Sequence, residues 1–335
     1  GHDPIRLPGD SLREGSFMTA AAPLVSVVIP TLNQGRYVGA ALDSILKQDY
    51  SNIETIVIDG GSTDNTLDVL KNYPGRIVWK SDKDRNMTEA IIKGIRLSQG
   101  AYIKPLASDE VLYEGAITQL VGAACSAGAA VVVGNGSIID EASNDLAPID
   151  NGGGLEFEEV VTLVKKMPLA CSLFERRVFE EFPLDEELSL LWDFDLWMRV
   201  FPRIKIAFIS QKIGKWRRHP EAKSVMLEVA DQILAERRQV LDRFFSENPG
   251  HRHLRKPAYV GASWDWALVH INAEKVREAL TILRASFARA PLATLRYDKG
   301  IIPRAVYVMA RRLLAKPMAR AAPLGAPAVR ERIPE

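Results

Sequence analysis

Four acidic points punctuate this chain at the ends of apolar runs or in the loops after them: Asp59, Asp82/Asp84, Asp109/Glu110 and Asp193/Asp195. The first is the sharpest. Ile56-Val57-Ile58 stops abruptly in Asp59-Gly60-Gly61-Ser62-Thr63-Asp64. That is how a buried strand delivers its last side chain to the edge of an α/β sheet. A carboxylate there can accept hydrogen bonds from a nucleobase N–H or from ribose hydroxyls. It equally suits an αβ turn, with Ser62 or Thr63 capping the next helix and Asp64 in its first turn. Asp64 fits a helix cap better than a ligand contact. The adjacent acids Asp109 and Glu110 suit a hard cation that also touches phosphate. Taken alone, that pair also fits a solvated helix start after a strand.

Acids so far apart need a scaffold that gathers them. Val25 to Pro30, Ile53 to Asp59, Ile77 to Lys80, Tyr102 to Leu106 and Ala129 to Val133 read as strands. Helices fall between them, at Tyr37–Lys47, around Leu67 and Leu70, and at Glu89–Ser98 with Gly100 as a C-cap. Such alternation predicts a mostly parallel sheet whose strand ends line one edge. Asn144 to Gly154 reads as a polar, mobile loop. Met167 to Phe174 and Ile204 to Ile209 read as later strands, and beyond Ser224 the chain turns helical.

Composition narrows the classes. The 335 residues carry a net charge of +1, which argues against whole-protein attraction to nucleic acid. Cys125 and Cys171 form neither a disulfide framework nor a zinc pattern, so a reducing cytoplasm is the default. No apolar run reaches the ~18 residues of a membrane-spanning helix. Gly1 to Phe17 read as a leader ahead of a natural start at Met18.

Several stretches then fall into a familiar order: Val25-Ser26-Val27-Val28-Ile29-Pro30-Thr31-Leu32-Asn33, Tyr37 with Leu42-Asp43-Ser44-Ile45-Leu46-Lys47-Gln48, and Asp59-Gly60-Gly61-Ser62-Thr63-Asp64. Next come Asp84, Ala90, Lys93-Gly94-Ile95 and Gly100, then Leu106-Ala107-Ser108-Asp109-Glu110. Trp192-Asp193-Phe194-Asp195-Leu196-Trp197-Met198-Arg199 and Trp216-Arg217-Arg218-His219 complete the series. Pro23 to about Ser224 resembles the inverting family 2 glycosyltransferases. The resemblance implies an α/β GT-A fold (the nucleotide-diphospho-sugar transferase fold), with a mostly parallel central sheet flanked by helices. The helices after Ser224 form an extension outside the match.

The resemblance also implies roles. Pro30, Thr31, Asn33 and Asp59 would hold the base of a nucleotide-diphosphate sugar, with Asp59 accepting from the uracil or thymine N–H. Asp84 and Arg85 would lie near ribose and phosphate. Asp109 and Glu110 match the acidic metal-binding pair, for Mg²⁺ or Mn²⁺, with Asp109 near the ribose and donor sugar. Asp193 falls where the family's general base deprotonates the acceptor hydroxyl. Arg217, Arg218 and His219 would face the diphosphate, with His219 a further metal ligand. Outside this context the Trp192–Trp197 segment would be an amphipathic helix with core aromatics, and Trp197 and Met198 fit the core in either case. Trp264 and Trp266 suit packing between helices better than a sugar platform.

Departures from the family pattern are specific. Glu110 stands where Asp is usual. Asn86 follows Arg85 where Gly is usual. Glu89 and Ile92 replace an Asp and an Asn. Two alternatives to a UDP-sugar-dependent transferase stay open: a nucleotide-sugar or polysaccharide binding relative without turnover, and a sugar-phosphate nucleotidyltransferase. Against the second, no Gly-rich basic loop follows the first strand.

The predicted organisation is a leader at 1–17, a catalytic domain at 18–224, a helical region at 225–316 and a disordered tail at 317–335. From Arg284 to Arg320, nine Lys/Arg face one acid, Asp298, with apolar residues interleaved. That pattern suits an interfacial helix on an anionic bilayer, or equally a helix packed on the domain with a solvated basic face. The first option would bring the enzyme to a lipid-linked sugar or glycan acceptor at the inner face of the cytoplasmic membrane.

Overall fold

The computed structural model describes residues 5–6, 22–151, 153–163, 165, 167–219, 227–273 and 275–289. The elements, in chain order, are β1 (Ile5–Arg6), β2 (Val25–Thr31), α1 (Val38–Leu46), β3 (Ile53–Asp59), α2 (Thr66–Lys71), β4 (Val78–Ser81) and α3 (Met87–Leu97). There follow β5 (Tyr102–Pro105), β6 (Val111–Leu112), α4 (Ala116–Ala127), β7 (Val131–Ile139), β8 (Asp145–Ile149), α5 (Phe157–Val161) and β9 (Ser172–Glu175). The rest are α6 (Arg177–Glu181), α7 (Trp192–Val200), β10 (Ile206–Arg217), α8 (Ala230–Glu247), α9 (Arg255–Asn272) and α10 (Val276–Arg289).

Strand order in the sheet is β1-β10-β7-β9-β5-β2-β3-β4, with β6 also on β10 and β8 also on β7. The β5-β2-β3-β4 half is parallel, as the strand–helix alternation predicts. β9 runs antiparallel between β5 and β7. Each residue of β2 is buried, so both faces of the sheet must be covered. Alternation divides them: Val25, Val27 and Ile29 join one core with α1 and α4, while Val28 joins a second core with Ile91 of α3 and Trp197 of α7. A third core joins Leu191, Phe194 and Met198 to Leu234, Leu241 and Phe244 of α8 and Ala258 and Ala262 of α9. Trp197 and Met198 are core, as expected.

Differences from the sequence expectation have local causes. Asp145–Ile149 forms an exposed edge strand on β7, although its polar residues and Pro148 read as loop. Leu169–Cys171 is a 3₁₀ turn, so only the end of the predicted Met167–Phe174 strand is extended. β10 continues past Ile209 to Arg217. α3 ends at Leu97, and Gly100 is not its cap. A Cβ on Gly100 would come within 2.5 Å of Ser26 Oγ and 2.7 Å of the Leu24 carbonyl, so a close strand approach requires the glycine. Ile5–Arg6 pairs with β10 at Ala207 and Phe208, inside the segment read as a leader. Arg284 and Arg289 lie on or at the end of α10; the rest of the basic segment and the tail at 317–335 lie outside the described residues.

Candidate active site

Parallel register sets Thr31, Asp59 and Ser81 side by side at the carboxyl ends of β2, β3 and β4. Asp59 is wholly buried. Its oxygens accept from the backbone N–H of Gly61 (3.1 Å) and Ser62 (3.0 Å), from Ser81 Oγ (2.7 Å) and from Ser62 Oγ. The carboxylate therefore folds its own loop and offers no exposed oxygen to a base, unlike the direct contact expected from sequence. Asn33, in the left-handed region at φ 53°, ties the neighbouring loop to it: its Oδ1 accepts from Thr63 N (2.8 Å) and its N–H donates to Ser62 Oγ (2.7 Å). Asp64 accepts from Thr66 N at the start of α2 and from Gly35 N, a capping part as expected. Thr31 Oγ1 is buried with no hydrogen-bond partner.

Beside this edge, Asp84 pairs through Oδ1 with Lys93, while its buried Oδ2 has no partner. Burial raises the Asp84 pKa against the pull of Lys93. Asn86 caps α3 by accepting from Glu89 N (2.9 Å), and Glu89 accepts from Arg85. Arg85 is exposed and also reaches Glu186 at 2.5 Å, so it faces outward rather than toward the Thr31–Asp59 edge. The departures Asn86 and Glu89 thus form one surface clamp. Ile92 is half-buried on α3.

The third acidic point, Asp109/Glu110, lies in the loop after β5. Asp109 Oδ2 is 3.0 Å from His219 Nε2, and the His219 ring packs on Tyr37 with centroids 4.9 Å apart. His219 Nδ1 is buried without a partner. Glu110 turns inward, accepting from Ala107 N at 3.0 Å. Burial, and then the charge of Asp109, pushes its carboxyl up to about 8. Beneath it, fully buried Lys104 donates to the carbonyls of Pro105 and Leu169, both at 2.8 Å, and burial lowers its ammonium to about 8. No group of three or more His, Cys, Asp or Glu side chains disposed to hold a metal occurs among the described residues. Asp109 and His219 come together; Glu110 is adjacent in the chain but engaged with the backbone.

Arg217 is 1% exposed and differs from its expected diphosphate role. Its guanidinium donates to the carbonyls of Asp109 (2.9 Å), Asp140 (2.8 Å) and Glu141 (3.1 Å) and to Ser143 Oγ (2.9 Å), with Cζ 5.0 Å from the Tyr37 ring centroid. It holds the backbone under Asp109 instead. Arg218 stacks its guanidinium 5.3 Å from the Trp216 ring centroid.

Asp193 opens α7, half-buried, and accepts from Phe194 N at 2.7 Å. It shares a cavity of about 290 Å³ with Glu110, Pro30 and Trp216. Residues 26–182 match the family model described as glycosyl transferase family 2. This segment is a family 2 glycosyltransferase domain. An uncharacterised glycosyltransferase of Rickettsia prowazekii is 30% identical over 206 residues, covering 59% of this chain and 65% of that one. A PGL/p-HBAD biosynthesis glycosyltransferase of Mycobacterium bovis BCG is 39% identical over 98 residues, 28% of this chain and 38% of that one. A Rickettsia felis relative is matched over only 35% of its length, so the chain spans between about a third and two thirds of these curated relatives.

Solved structures agree on the fold. Staphylococcus aureus TarS 1–349 superposes with a TM-score of 0.51 at 16% identity, covering 83% of this chain and 92% of that one. A mannosyltransferase of Pyrobaculum calidifontis superposes at 0.52 with 14% identity and 88% of both chains covered. The glycosyltransferase domain has the GT-A architecture, with a helical region following it.

That helical region reaches into the site, which the sequence did not reveal. Glu236 of α8 is buried and accepts from the backbone N–H of Ser189 (3.1 Å), Leu190 (2.9 Å) and Leu191 (3.0 Å). These residues lead into α7, which has no side-chain cap of its own at Leu191. Arg243 of α8 pairs with buried Asp195, which also meets Arg199 at 2.6 Å. One sequence signal existed: Glu236 and Arg237 lie three and four residues after Ile233, on the apolar stripe shared with Val240 and Phe244. Of the tryptophans in α9, Trp264 is buried, whereas Trp266 lines the cavity.

Proposed function

We propose that this protein moves one sugar from a nucleotide-diphosphate donor, UDP-linked in the first instance, to an acceptor hydroxyl, inverting the anomeric centre. The observation carrying this proposal is that Asp193 and Glu110 share one cavity next to the Asp109–His219 pair, within a family 2 glycosyltransferase domain. Asp193 takes the acceptor proton as the hydroxyl attacks. A general base must sit within hydrogen-bond reach of the proton it removes, and a half-buried Asp193 at the cavity wall fits that need. The donor base and ribose lie against the Pro30–Asn33 and Asp59–Asp84 edge. There the buried oxygens of Thr31 and Asp84 have no protein partner, which leaves polar groups at this edge to be satisfied.

Asp109 and His219 would hold a divalent ion. One carboxylate and one imidazole fit an ion that takes its other ligands from a diphosphate, and imidazole favours Mn²⁺ over Mg²⁺. When bound, such an ion offsets the charge developing on the leaving diphosphate. The archaeal neighbour, described in complex with GDP-Man and Mn²⁺, supports a nucleotide sugar and a divalent ion in this fold. Arg217 contributes by fixing the Asp109 backbone, and Arg218 flanks the site.

The setting we propose is bacterial surface polysaccharide or glycolipid assembly, on the cytoplasmic side. None of the described helices is long and apolar enough to cross a membrane. Attachment to the inner membrane face through residues 284–320 is part of the proposal. Calorimetry with UDP-, dTDP- and GDP-sugars, with and without Mn²⁺, tests the donor. UDP-sugar binding strengthened by Mn²⁺ is expected, and no nucleotide binding would contradict the proposal.

A further inference from the structure

The cavity beside Asp193 meets the proposed donor edge at Pro30 and Glu110, but it is not lined by Asp59, Asp84, Asp109 or His219. Its walls come from Met87, Ile91 and Leu169 on one side and from Leu234, Ala262 and Trp266 of α8 and α9 on the other. Among the described residues two cations stand in the wall, and each meets an acid: Arg237 lies 2.7 Å from Asp265 and Lys165 lies 3.8 Å from Glu159. Arg237 is 6% exposed, and its Nε–H has no acceptor. A wholly saccharide occupant would bury many hydroxyls where the walls offer them few partners. A phosphate would need a cation not already matched by an acid. A neutral apolar body meets neither cost.

We infer that this cavity receives a neutral apolar aglycone of the acceptor, an alkyl or aromatic body carrying the reacting hydroxyl on or next to it. Arg237 Nε–H donates to one uncharged oxygen of that body, removing the cost of a buried unpaired donor. Leu234, Ala262 and Trp266 bury its hydrocarbon surface, so α8 and α9 select the acceptor while the strand edge binds the donor. The assignment to the acceptor rests on Asp193 acting as the base.

The test uses the full chain and two arms of calorimetry. In the first, methyl β-D-glucoside and hexyl β-D-glucoside are titrated separately, below micelle-forming concentration. Hexyl glucoside should bind at least about tenfold more tightly, the factor for burying about two methylenes. Ile233→Trp, at a half-buried wall position, should abolish that preference. Val269→Trp, also half-buried in the wall, gives the same readout if the first variant does not fold. In the second arm, UDP with Mn²⁺ should bind the wild type and both variants equally. Equal affinity for the two glucosides, or a preference that survives both variants, overturns the inference while intact UDP binding leaves the donor proposal standing. A hexyl preference without any UDP binding overturns the transfer proposal and the acceptor assignment with it.

Discussion

The proposed donor half and the proposed acceptor half of this site are held by opposite means. On the donor side, the loops after β2 and β3 are tied to one another: Asn33 to Ser62 and Thr63, Asp59 to Ser62 and Ser81, Asp64 to Gly35. Each of these bonds uses a side chain, and all the partners lie within residues 33–81, so the edge is set by that stretch of the sequence. On the acceptor side, α7 carries Asp193 but is anchored from another helix, through Glu236 and Arg243 of α8. The family match ends at residue 182, before either anchor. In this chain the proposed donor edge thus lies inside the family match, while the helix that anchors α7 lies outside it.

Breaking the α8 anchor should separate the halves most strongly. Glu236→Ala leaves the N–H groups of Ser189, Leu190 and Leu191 without their acceptor, at about 1–3 kcal/mol for each buried donor left unpaired. The expected result is a lower melting temperature and kcat down by ~10²-fold, the scale of a small misplacement of a reacting group. UDP affinity should hold. Parallel loss of UDP affinity would show that the halves are not independent.

The converse change is Asp59→Asn. An amide cannot accept from all of Gly61 N, Ser62 N, Ser62 Oγ and Ser81 Oγ, so the donor edge loosens. Stability should fall by about 1–3 kcal/mol and UDP affinity about tenfold, with kcat at saturating donor nearly kept. The smallest effect belongs to Arg85→Ala. Its exposed pairs with Glu89 and Glu186 contribute at most about 1 kcal/mol. UDP affinity should not change; a tenfold loss would mean that Arg85 swings to the donor, as the family resemblance implies.

Much of the donor half was legible because strand physics writes it plainly. The continuous apolar runs of β2 and β3 and the glycines after Asp59 fix both the sheet edge and its loop. The sequence could not tell which charged residues turn inward. Arg217 looks the same on paper whether it faces a diphosphate or four backbone and hydroxyl oxygens, and only the approach of Asp140, Glu141 and Ser143 decides it. β8 was missed because an exposed edge strand buries no face and so leaves no alternation. α8 was visible as a helix, but its part in the site depends on packing against α7, which no local pattern records.

The central claim is that Asp193 removes the acceptor proton while the donor edge binds nucleotide by itself. Measuring UDP affinity and single-turnover sugar transfer for Asp193→Asn tests it most directly. Unchanged UDP affinity with transfer reduced to background is the predicted result. Transfer at the wild-type rate by that variant would contradict it.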